Sequence, residues 1–79
     1  MNWREYIHSD PKILMGKPVI IGTRLTVDFI LDLLAQGWIE EQILENYPTL
    51  TKEALLAVFA FVADCMSEEA VNSLSLKFA

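Results

Sequence analysis

A mainly α-helical chain carrying a small N-terminal β-hairpin is what three patterns in these 79 residues imply. Val27, Ile30, Leu31 and Leu34 fall at i, i+3, i+4 and i+7, the spacing of one buried helix face. The run from Ala54 to Ala63 is apolar throughout, and a helix without a polar stripe must be covered all round. Ahead of both, Val19-Ile20-Ile21 and Arg24-Leu25-Thr26 flank Gly22-Thr23. A two-residue loop with glycine first meets the type II′ hairpin requirement for positive φ.

At the N-terminus, Trp3, Tyr6 and Ile7 are spaced to pack an aromatic onto the body, with Tyr6-Ile7 placed to add a strand beside the hairpin. His8-Ser9-Asp10-Pro11 reads as a turn, because Ser and Asp side chains bond nearby backbone and proline fixes φ. Lys12 to Met15 forms a brief apolar turn before the hairpin. Pro18 has no N–H for a ladder, so it opens the first strand. The Gly22-Thr23 turn pairs Ile21 with Arg24, Ile20 with Leu25 and Val19 with Thr26, placing Ile20 and Leu25 on one face. A lone hairpin is marginal in water. Either it caps the helices, or its Lys17 and Arg24 arm is a contact surface.

The first helix runs from about Val27 to Gln36. Thr26 is its N-cap, Asp28 suits its positive end, and Gly37 can take the left-handed C′ conformation. A second, shorter helix starts near Ile39 or Glu40, with Ile39, Ile43 and Leu44 facing inward. It ends at Tyr47-Pro48, since the residue before proline is pushed out of the helical region. The third starts after the N-cap Thr51 and continues to about Met66 or Glu69. Its Leu55, Val58, Phe59, Phe61 and Val62 are candidates for a dimer or partner interface. Phe59 and Phe61 lie about 200° apart around the helix. One ring is expected against Ile30 and Leu34, the other against a twin subunit. Cys65 is expected to be packed. In the tail, Leu74, Leu76 and Phe78 alternate with polar residues. They are further interface candidates, in a segment expected to swap onto a twin, dock on a partner or remain disordered. The organisation is one domain over 1–79: an arm and hairpin (1–26), a three-helix bundle (27–66) and a tail (67–79).

Composition narrows the function classes. Chains below about 80 residues usually need staples or oligomerisation. Cys65 is the single cysteine, so disulfides are ruled out as staples, and a lone thiol fits a reducing, cytoplasmic setting. No apolar run approaches the ~20 residues of a membrane span. Residues 1–27 carry four bases against two acids, residues 28–79 two bases against nine acids, and the whole chain has net charge −5. An acidic body suits a basic protein partner. Any DNA footprint falls to Lys12, Lys17 and Arg24 on the arm, joined by Lys52 at the start of the third helix. Gly16-Lys17 is no phosphate loop, because Pro11 and Pro18 stand where glycine and Ser or Thr belong. No zinc-type Cys/His spacing or nucleophile–base–orienter set occurs. Neither cofactor nor enzymatic activity is expected, and His8 has no second histidine or cysteine beside it. Glu41 and Glu45, at i, i+4, read as a solvated face.

Asp10-Pro11, Gly16-Lys17-Pro18-Val19-Ile20 and Gly22-Thr23-Arg24-Leu25 closely resemble the opening of the domain-of-unknown-function family numbered 433. The resemblance continues through Ile30 to Gly37, Glu40 to Leu44, Tyr47-Pro48, Leu50-Thr51 and Ala54-Leu55, covering about residues 6 to 66. It implies a small homeodomain-like helix-turn-helix domain. It also implies an antitoxin of a toxin–antitoxin pair, neutralising a PIN-type, nuclease-like toxin and repressing its own operon. Antitoxin-like binding by a homodimer is therefore the first expectation. A DNA-binding regulator without toxin partner is the second: base reading needs Arg, Lys, Asn or Gln early in the recognition helix, and Lys52 alone is there.

Overall fold

The computed structural model of the chain describes residues 1–67; the expectations for Leu74, Leu76 and Phe78 lie outside the described residues. A 3-10 turn at Trp3–Glu5 leads into β1 (Ile7–His8), and a second at Leu14–Gly16 into β2 (Val19–Ile20). Helices α1 (Val27–Ala35), α2 (Glu40–Asn46) and α3 (Lys52–Cys65) follow. The fold is mainly helical with a two-stranded antiparallel element at its N-terminal end.

The sheet joins β1 to β2, with Ile7 opposite Ile20 and His8 opposite Val19. Of the anticipated pairing with residues 24–26, a single bridge between Val19 and Thr26 forms, in the expected register. The turn is displaced by one residue. Thr23 N–H donates to the Ile20 carbonyl at 3.1 Å, so Gly22 occupies the third turn position, at φ +84°. The Thr23 hydroxyl explains the short ladder. It donates to the Ile20 carbonyl at 2.8 Å and accepts from the Leu25 N–H at 3.0 Å. Ile20 and Val19 are both buried while Ile21 is exposed, so the strand is covered on both faces where the sheet meets the helices.

Positive φ makes Gly22 the sensitive point of this turn. A Cβ there meets no heavy atom within 4 Å, leaving backbone strain of about 1–2 kcal/mol as the whole cost. Gly22→Val is expected to lower the melting temperature by roughly 4–15 °C; a wild-type value would remove the turn from the stability argument.

Local chemistry sets the helix ends. Thr26 Oγ1 accepts from Phe29 N–H at 3.0 Å, and Thr51 Oγ1 from Ala54 N–H at 3.1 Å. Gly37, at φ +96°, closes α1: its N–H reaches the Leu34 carbonyl, and Trp38 N–H reaches that of Leu33. This is the paired-bond cap that a left-handed glycine allows. Gln42 reaches back to accept from the Ile39 N–H at 2.9 Å. Ile39 therefore sits outside α2 as its N-cap and is exposed, contrary to its expected inward position.

The core joins Ile7 and Ile20 of the sheet, Val27, Ile30 and Leu33 of α1, Ile43 of α2, Leu50, and Ala54, Leu55, Ala57 and Val58 of α3. Phe61 is the inner of the two rings, half-buried and packed against the core cluster that contains Ile30. Its ring meets Trp3 edge-to-face at 4.8 Å between centroids, and Trp3 Nε1 donates to Asp64 Oδ2 at 2.6 Å. The N-terminal arm thus covers part of α3 that residue count alone assigned to a neighbour. Cys65 is exposed rather than packed, because the last turn of α3 extends beyond the core positions.

Candidate interaction surfaces

Three surfaces emerge from this frame. The first is a cavity of about 560 Å³ in the arm, lined by His8, Lys12, Ile13, Leu14, Val19, Thr23 and Arg24. Asp10 shapes the turn that carries two of these residues: its carboxylate accepts from Lys12 N–H at 2.9 Å, and its carbonyl from Ile13 N–H at 2.8 Å. Leu14 and Met15 then take φ of +49° and +57°, ahead of Gly16 at +81°. The left-handed conformation costs an ordinary L-residue about 1–2 kcal/mol. The turn holds through Gly16 N–H to the Ile13 carbonyl and Lys17 N–H to that of Leu14. Its result is a raised apolar tip, with Met15 89% exposed, beside two cations.

The four anticipated DNA-contacting residues are divided by the fold. Lys12 and Arg24 share the arm cavity. Lys17 reaches the Asp28 carboxylate at 3.7 Å. Lys52 lines a separate cavity of about 430 Å³ with Ile39, Glu40, Glu41 and Leu44, where the carboxylates oppose an anionic ligand.

The second surface lies on α1, α2 and their flanking loops. Phe29 meets Tyr47 edge-to-face at 5.5 Å, and Tyr47 meets Trp38 at 6.4 Å. Phe29 is exposed, while Trp38 and Tyr47 are half-buried. The same helices carry Asp28, Asp32, Glu40, Glu41 and Glu45 and no base. Half-exposed aromatic rings with polar tips are the side chains that most often anchor protein interfaces. Sequence reading missed this cluster. Its residues stand nine apart, at 29, 38 and 47, a spacing that matches no single-helix or strand period. Their meeting depends on how α1 and α2 are folded back at Gly37.

The third surface is the outer side of α3. Leu55 and Val58, two interface candidates, are 2% and 0% exposed within the chain's own core and are not available to a partner. Phe61 and Val62 are half-buried, Phe61 beneath Trp3. Phe59 is the one of these five that points outward, joined by Leu56 and Met66.

Among the described residues no group of three or more His, Cys, Asp or Glu side chains is arranged to hold a metal ion. No helix among them is long and apolar enough to cross a membrane.

The comparisons with known proteins agree with the fold's extent. An uncharacterised protein of Sinorhizobium fredii (strain NBRC 101917 / NGR234), y4eO, is 40% identical over 52 residues. Those residues are 66% of this chain and 24% of the relative, so the chain spans about a quarter of that protein's length. No solved structure matches the chain. The family described as "Protein of unknown function (DUF433)" matches residues 7–62, from β1 to the last turns of α3, and the chain belongs to that family.

Proposed function

We propose that this chain is a cytoplasmic binding module rather than an enzyme, and that it acts as an antitoxin-like protein that neutralises a nuclease-like, PIN-type toxin. The observation that carries the reading is the Phe29–Tyr47–Trp38 cluster on helices whose charges are all acidic. Aromatic anchors supply contact area, and the surrounding carboxylates steer and align a basic partner. A nuclease that holds an RNA backbone presents such a basic face. The test is co-expression with PIN-type nucleases from the native cell, reading growth rescue and a stoichiometric complex. Trp38→Ala and Tyr47→Ala are each expected to weaken that complex at least about 30-fold, the scale of an interface anchor. Absence of rescue and of any complex would overturn the reading.

A DNA-binding role is favoured by a separate observation, the pairing of Lys12 and Arg24 in one cavity beside an exposed apolar tip. Replacing both with Ala is expected to flatten the salt dependence of duplex binding by about two units of log–log slope. Binding unaffected by this change but lost with Lys52→Ala would move the nucleic-acid surface to α3.

A further inference from the structure

The outer side of α3 is patterned to pair with itself. We infer that a second copy of this chain docks there, α3 against α3 in antiparallel orientation about a two-fold axis. This contact lies on a different face from the aromatic cluster and goes beyond the partner reading above.

Spacing is the first argument. Leu56, Phe59, Ala63 and Met66 follow one another at intervals of 3, 4 and 3, the a/d alternation of a helix–helix seam. Leu56 is 48%, Phe59 49% and Met66 44% exposed, and Ala63 is also exposed. The neighbours at 57, 58 and 61 turn into the body instead. These four residues therefore form one uncovered stripe, about 15 Å long at 1.5 Å per residue.

The stripe also reads the same in both directions. Reversing one helix sets Leu56 against Met66 of the second copy and Phe59 against its Ala63. Each large ring then faces a methyl group, twice over by symmetry, which is the large-to-small alternation that fills a packed layer. A parallel pairing would oppose Phe59 to Phe59 and Ala63 to Ala63, crowding one layer and emptying the next.

Charge confines a twin's contact to this stripe. A chain of net charge −5 repels its twin over most of its surface. Between Leu56 and Met66 the single charged residue is Asp64, which is turned to Trp3 Nε1 at 2.6 Å and away from the stripe. A basic partner is drawn to the α1 and α2 carboxylates and finds nothing to pair with here. The contact is smaller than the ~1,200 Å² of a standard stable interface, so the dimer is reversible and follows concentration.

Sedimentation equilibrium of the 1–79 chain without partner is the test. The expected mass rises from 9.0 kDa toward twice that value as concentration approaches about 300 µM. Ala63→Glu, at an exposed helix position, is expected to hold the monomer mass with unchanged circular dichroism. In a Cys65→Ser background, an oxidised mixture of Phe59→Cys and Ala63→Cys chains is expected to link one to the other. A wild-type chain that stays at 9.0 kDa, or an Ala63→Glu chain that still dimerises, would overturn the contact. Phe59→Cys chains that link to themselves in preference would overturn its orientation.

Discussion

Val58→Asp is expected to abolish cooperative unfolding, while Phe59→Asp, one position along the same helix, is expected to leave it nearly intact. Val58 is 0% exposed and belongs to the cluster joining the sheet to all three helices. A carboxylate placed there has no partner, and burying an unpaired charge costs more than 4–5 kcal/mol, the exceptional end of single substitutions. At roughly 0.05–0.15 kcal/mol per residue, a domain this size has about 4–12 kcal/mol in all. Phe59 instead loses contact with water only when something docks on α3, so its change alters association and leaves the monomer standing. Thermal melts of the two variants by circular dichroism provide the check. Two similar transitions would mean that α3 has no such division into an inner and an outer face.

The next largest effect is expected at Trp3→Ala, far from the core in sequence. This change removes the edge-to-face contact with Phe61 and the hydrogen bond to Asp64, and opens the end of α3 to solvent. Losing a large, partly buried aromatic is expected to cost about 2–3 kcal/mol, below the range for a fully buried ring. That corresponds to a fall of roughly 10–20 °C in melting temperature for a domain of this size. Trp3→Phe, which keeps the ring and loses the N–H, is expected to cost about 1 kcal/mol, the net worth of one hydrogen bond. If Trp3→Ala melted like the wild type, the arm would not be packed on α3.

What could be read beforehand is what is decided within a few residues. Thr26, Thr51 and Gly37 mark helix ends because a cap is made by one side chain or one φ angle. The Val19–Thr26 register followed from the loop between them. The turn centre did not, because the Thr23 hydroxyl competes for the same backbone groups as the ladder. Ile39 looked like a core residue by spacing, and became a cap because Gln42 satisfies its N–H from the solvent side. The partition of α3 was illegible for a different reason: an all-apolar helix carries no pattern from which to choose its inner face. That choice is made by residues distant in sequence, the core positions of β1, β2, α1 and α2 together with Trp3 of the arm. Of the candidate surfaces, Lys12 and Arg24 were anticipated, but their union in one cavity needed the left-handed backbone at Leu14 and Met15. Apart from Gly16, nothing in the local sequence marks that conformation.

The contact between Trp3 and Asp64 also imposes an order of events on synthesis. The two residues are 61 positions apart, and at about 5–20 residues per second the ribosome needs roughly 3–12 s to make the second after the first. Through that interval the arm has no helix to close upon, and β1 has yet to meet the α3 residues that complete its core. Helices α1 and α2 can form during the wait, since their caps are local. Among the described residues, folding therefore closes with the arm locking onto α3, the last of the three helices to be made. Premature termination before residue 61 would release a product with Trp3 uncovered and the core open, a substrate for proteolysis rather than a shortened version of the working module.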